Sequence, residues 1–204
     1  MKNIKAVLFG LIVSSTFLSN AYAGIIWDNG TGSSTTSRSA GNFMATTFLS
    51  NANFTLNQID QYMDTNSDAN VRFAIFNADS ADLLFYSDNV FHIDNGMGYV
   101  SSSIFSFDII AGVNYSIAAV TDTGAGYRYT SSDVSMNGIS NPYNNQNGAS
   151  GSTFASPTLD TSTYCCNNNI RLHTNLVDVP EPSTLAIFAL GMIGLALRKF
   201  KKQS

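Results

Sequence analysis

Asp64, Asn66, Asp68 and Asn70 place oxygen-bearing side chains at every second position. Such spacing lets hard oxygen ligands converge on one Ca²⁺ ion. The EF-hand register fails here. Ala69 stands where the loop needs glycine, and Ile75 where it needs a bidentate Glu. A looser Ca²⁺ loop and a solvated turn both fit, and Ca²⁺ is the one cofactor these residues suggest. Cys165 and Cys166 are adjacent. A vicinal disulfide, bonds to another chain and simple burial are all open for them in an oxidising compartment. No further Cys and no His lies near them in sequence, so a zinc site has little support.

Catalytic constellations are scarce. The two histidines, His92 and His173, are isolated, and no H-E-x-x-H occurs. Gly148-Ala149-Ser150-Gly151-Ser152 misses the G-x-S-x-G nucleophile elbow at its fifth position. A glycosidase pair would have to be chosen among many Asp residues with nothing to single out two. A non-enzymatic protein is therefore expected, with a secreted hydrolase the least favoured reading. Trp27 and Tyr143, with Tyr127, Tyr129 and Tyr164, could instead offer aromatic platforms to a glycan.

The elements that must carry these residues are strands. Val71–Phe76 is a short β run, Val113–Val120 alternates in its first half, and Ile170, Leu172, Thr174 and Leu176 alternate with Arg171, His173 and Asn175. Further strands are expected over 42–49, 54–63, 83–87, 99–108 and 127–131. Turn signals separate them at Asp64–Asp68, Asn77–Asp82, Asp94-Asn95-Gly96, Thr123-Gly124, Asn137-Gly138 and Asn147-Gly148. The polar stretch 140–169 reads as a surface loop. Short strands at this spacing predict an all-β fold, an antiparallel β-sandwich of jelly-roll type.

Charge agrees with an exported domain. Residues 24–178 hold thirteen Asp, no Glu, four Arg and no Lys, a net charge of −9 with His neutral. Such a surface repels nucleic acid, which is excluded as a partner.

All the lysines lie at the two ends. Lys2 and Lys5 precede an apolar stretch, Ala6–Leu18, and Ala21-Tyr22-Ala23 fits small-x-small cleavage. Residues 1–23 therefore read as a signal peptide handled by the Sec translocon and signal peptidase, cut between Ala23 and Gly24. At the other end, Pro180-Glu181-Pro182-Ser183-Thr184 leads into an apolar run, Leu185–Leu197, and then Arg198, Lys199, Lys201 and Lys202. Thirteen residues make a helix of about 20 Å, short of the roughly 30 Å hydrocarbon core. With flanking residues and snorkelling cations it becomes a marginal transmembrane helix with a cytoplasmic basic tail.

Val179 to Thr184, the glycine-containing apolar run and the basic terminus together resemble the PEP-CTERM sorting signal of Gram-negative bacteria. That resemblance implies recognition of Pro180, Glu181 and Pro182 by an exosortase, a membrane-embedded transpeptidase-like cysteine protease. It implies inner-membrane retention before processing, then release or anchoring at the cell surface or in a biofilm matrix. The expected organisation is a signal peptide (1–23), a β-sandwich (24–178) and a sorting signal (179–204). The protein is expected to act as a non-enzymatic surface or matrix component, with a module that binds exopolysaccharide as the alternative.

Overall fold

The computed structural model describes residues 23–30, 32–130, 134–141, 145–164 and 166–175. Residues 23–175 form one of two compact units of the chain; the other, 1–22 with 176–204, lies outside the described residues. The expected signal peptide, Pro-Glu-Pro motif, transmembrane helix and basic tail therefore fall outside them as well, apart from Ala23 and Gly24.

The described residues are all β. In chain order the strands are β1 (Ala23–Asp28), β2 (Ser34–Arg38), β3 (Met44–Ser50), β4 (Phe54–Asp64), β5 (Ala69–Asn77), β6 (Leu83–Tyr86), β7 (Val90–His92), β8 (Gly98–Ser101) and β9 (Phe107–Ile109). They continue as β10 (Asn114–Thr121), β11 (Ala125–Thr130), β12 (Val134–Met136), β13 (Ile139–Asn141), β14 (Asn145–Gly148), β15 (Leu159–Tyr164), β16 (Asn167–Asn168) and β17 (Ile170–Asn175). Two antiparallel sheets result. One runs β1-β17-β4-β11-β16, with β2 on β11 and with β8 and β9 on β4; the other runs β12-β13-β3-β10-β5-β6, with β7 on β5 and with β14 joining β15 to β3.

The sandwich interior draws on both sheets. Trp27, Leu56, Ile59, Met63, Tyr127, Ile170 and Leu172 come from the first, and Phe48, Phe73, Ile75, Tyr115 and Ile117 from the second. The expected alternation along β17 holds: Ile170 and Leu172 are fully buried, while Arg171 and His173 keep some exposure on the other face. Two bulges adjust that parity. Ile25 pairs with His173 and Trp27 with Leu172, so Ile26 is the extra residue that turns the indole inward. On β4, Thr174 pairs with Leu56 and His173 with Gln58, so Asn57 is extra and both Leu56 and Ile59 reach the core.

Strand β10 is buried from Tyr115 to Thr121. Ile117 and Ala119 face the interior, while Ala118 and Val120 join Phe43, Ala45, Ala74, Phe76 and Leu159 in a second apolar layer. Phe154 packs against this layer, so the segment between β14 and β15 covers the outer face of the second sheet.

Three expectations change. The 99–108 strand is two strands, β8 and β9, both paired with β4. Between them the chain leaves the ladder, the Ser102 hydroxyl accepting from Ile59 N–H at 3.0 Å and Phe105 N–H donating to Asn57 O at 2.9 Å. The 140–169 stretch is not a loop throughout, since β14, β15 and β16 lie in it. Asn147-Gly148 is strand and not turn: a Cβ at Gly148 would meet Asn42 Oδ1 at 2.9 Å and the Phe43 ring at 3.2 Å, so the glycine serves a close approach. Asn137-Gly138 does turn, with φ of 51° and 78° between Met136 and its partner Ile139, the positive-φ pair a two-residue hairpin needs.

Candidate functional site

The first and last strands meet at the sandwich's two chain exits. Strands β1 and β17 are antiparallel, and Ala23 pairs with Asn175, Gly24 with Thr174. A cut between Ala23 and Gly24 therefore removes a single pair from the end of the ladder. β17 is held on both sides, by β1 and by β4. Every strand of the sandwich is complete by Asn175, before the Pro-Glu-Pro tripeptide begins at Pro180.

The segment beyond Asn175 is similar to a known family. Residues 178–202 match the family model of the PEP-CTERM protein-sorting motif. The chain carries a sorting signal beyond its sandwich. The match covers Pro180, Glu181, Pro182, the apolar run and the basic cluster up to Lys202, the same features that carry the resemblance. No curated protein matches the chain. Among the described residues no helix is long and apolar enough to cross a membrane.

Within the sandwich, the alternating Asp/Asn loop turns to separate partners. Asp64 Oδ1 accepts from Asn66 N–H at 2.9 Å, and Asn66 Nδ2 donates to Gly124 O at 3.2 Å. Asp68 Oδ1 accepts from Asp94 N–H at 3.0 Å. Asn70 donates to both carboxylate oxygens of Asp122, at 2.8 and 2.6 Å, and its Oδ1 accepts from Asn89. These oxygens cap turns and tie loops together. Among the described residues, no three or more of His, Cys, Asp and Glu are grouped to hold a metal ion.

Trp27 is no sugar platform. It is fully buried, packs on Phe48 and donates from its indole N–H to Val134 O at 3.4 Å. The bulge at Ile26 is the reason, since it puts Trp27 in the position facing the core. Tyr127 is buried as well, its hydroxyl donating to Ala119 O at 3.1 Å; burial holds its pKa well above the usual phenol value. Tyr143 and Cys165 lie outside the described residues. Cys166 is buried, in a left-handed backbone conformation with φ of 80°.

A charged cluster sits on the outer face of the first sheet. There Arg171 Nε donates to Asp28 Oδ2 at 2.8 Å while its guanidinium stacks 3.6 Å over the Tyr99 ring. Tyr99 meets Tyr62 edge-on, with ring centroids 4.9 Å apart. Desolvation, reinforced by the Asp28 carboxylate, pushes the Tyr99 phenol up to about 12 against the opposing pull of Arg171. Beside it His173 Nε2 lies 2.7 Å from Asp60 Oδ2, both side chains largely buried. The wet face of β17 is legible in the sequence as Arg171 and His173, but their carboxylates lie 143 and 113 positions away. Only the fold pairs them. Among the described contacts no Ser or Thr hydroxyl and no Cys thiol hydrogen-bonds to His173.

A second polar site has no signature in the sequence. Thr36, Arg38, Met44, Tyr129, Asn145 and Asn147, together with the buried Cys166, line a cavity of about 170 Å³ where β2, β3, β11 and β14 converge. Four of them lie in stretches too polar and too short of periodicity to mark as strands, and nothing local signals their convergence.

Proposed function

We propose that the protein is an exported β-sandwich handled by an exosortase, which recognises Pro180-Glu181-Pro182 and cuts the chain near it. The observation that carries this reading is the sorting-motif match over residues 178–202, directly after a sandwich whose last strand ends at Asn175. Pro180 and Pro182 each lack a backbone donor and hold the preceding residue extended. They present Glu181 in a conformation a protease cleft can take. The apolar run then retains the chain in the inner membrane until the cut, and the sandwich moves to the cell surface or matrix. The sandwich acts there as a non-enzymatic component, a role supported by the acidic, lysine-free span.

The test replaces Pro180, Glu181 and Pro182 together by alanine in an exosortase-bearing host. The variant is expected to stay in the membrane fraction at unprocessed mass, while the parent is processed. Normal processing and location of the variant would overturn the proposal.

A further inference from the structure

The bond between Ala23 and Gly24 lies at the head of a strand. Both residues belong to β1 and pair with Asn175 and Thr174 of β17. β1 ends the first sheet, and among the described residues β17 is the one strand that pairs with it. The attachment runs along the whole of β1. Asp28 Oδ2 accepts from Arg171 Nε at 2.8 Å, and just past the strand Asn29 Oδ1 accepts from Ile170 N–H at 2.7 Å. Trp27 is fully buried, and Asn137 Nδ2 donates to Ile26 O at 2.7 Å.

A protease acts on an extended stretch around the bond it cuts, so a folded chain is cut from a form in which that stretch has opened. On the carboxyl side of this bond the stretch is Gly24-Ile25-Ile26-Trp27. Freeing it in the folded sandwich breaks the pairs to Thr174, His173 and Leu172 and brings Trp27 out of the interior. Fraying of the first pair alone does not suffice. The sorting motif differs. Pro180 stands past Asn175, where β17 ends, so a cut there leaves every described strand pair in place.

Chain order makes this a matter of timing. Asp28 and Arg171 are 143 positions apart. An N-terminal signal leads its chain across the membrane, so β17 arrives last of the strands. Until then β1 has no strand in its sheet to pair with. We infer that docking of β1 on β17 sets the time limit for the signal cut. A chain cut beforehand folds with Gly24 as its first residue. A chain still uncut when β17 arrives closes β1 into the sheet and resists signal peptidase. The inference rests on residues 1–23 being a signal and is separate from exosortase handling.

Trp27 is the single tryptophan of the chain, so its emission reports the docking of β1. The experiment makes the full chain in a cell-free system with detergent micelles and no exosortase. Purified signal peptidase is present from the start, or is added after the Trp27 emission has moved to shorter wavelength. A second chain, ending after Asn169, lacks β17. Early addition is expected to yield a product that begins at Gly24. Late addition should cut the full chain at least about tenfold more slowly, the scale set by exposing one large buried side chain. The chain without β17 should be cut equally fast at both times. Late cutting of the full chain at the rate of the shorter one, with Trp27 buried, would overturn the inference. So would a shorter chain that turns resistant as well, or a full chain whose Trp27 never becomes buried while the signal is attached. Absence of any cut at Ala23–Gly24 in either chain would remove the signal itself, and the inference with it, while leaving exosortase handling untouched.

Discussion

The sandwich and the segment after it carry information in opposite ways. Residues 23–175 are held by contacts between distant positions, such as Asp28 with Arg171 and Asp60 with His173, and by two bulges that turn Trp27, Leu56 and Ile59 inward. Residues 178–202 match a family model through a short contiguous run. A sorting signal must be read by another protein as a linear stretch, so its specificity is local. A sandwich is specified by alternation and burial, which many sequences satisfy. Handling and folding should therefore be separable, and each can be broken without the other.

The largest effect is expected at Trp27. Trp27→Ala removes the largest fully buried side chain of the interior and should cost about 3–5 kcal/mol, a large share of the roughly 5–15 kcal/mol of a typical domain. Denaturant unfolding would show it. A loss below about 1 kcal/mol would mean that the indole does not anchor the interior.

A smaller loss is expected at the outer-face pair. His173→Ala leaves Asp60, whose Oδ1 is already without a partner among the described residues, with neither oxygen engaged at the pair. It should cost about 1–3 kcal/mol, and Asp60→Asn combined with His173→Gln should recover part of it. If the double variant is no better than the single, the pair is not a coupled unit.

Alkaline titration reaches Tyr99 and Tyr86, whose phenols are both pushed up to about 12, chiefly by desolvation. Since the folded state holds these protons more tightly than the unfolded chain, their contribution is complete below about pH 10. It is lost as pH rises from about 10 through 12. Ultraviolet titration of phenolate should lag behind that of model tyrosine, and unfolding midpoints should fall over the same window. Ionisation of every tyrosine near pH 10 would contradict the burial of the Tyr99 and Tyr86 phenols.

The smallest effect is a designed absence. Ending the chain after Leu176 should leave the unfolding midpoint within a degree or two of that of the processed protein, because β17 is complete at Asn175 and flanked on both sides. A marked fall would show that the segment after Asn175 belongs to the fold.

The same physics decides how much of the molecule is legible in its sequence. Strands with one wet face or a continuous apolar run, β5, β10 and β17, stand out by pattern. The partner strands around the asparagine seam do not. β14 and β16 bury Asn145, Gln146, Asn167 and Asn168, residues whose composition signals a loop, because backbone pairing with Met44–Thr46 and with Tyr129–Thr130 holds them in place. Trp27 reads as a surface aromatic for want of the bulge that only β17 reveals. The Arg38 cavity draws on four strands and cannot be assembled from local spacing.

Mass spectrometry of the protein purified from its native host is the most direct test of exosortase handling. The expected product is a chain that begins at Gly24 and lacks the apolar run and basic cluster beyond Pro180-Glu181-Pro182, with or without an added C-terminal group. A chain that still carries Leu185 to Lys202 after export would contradict that handling.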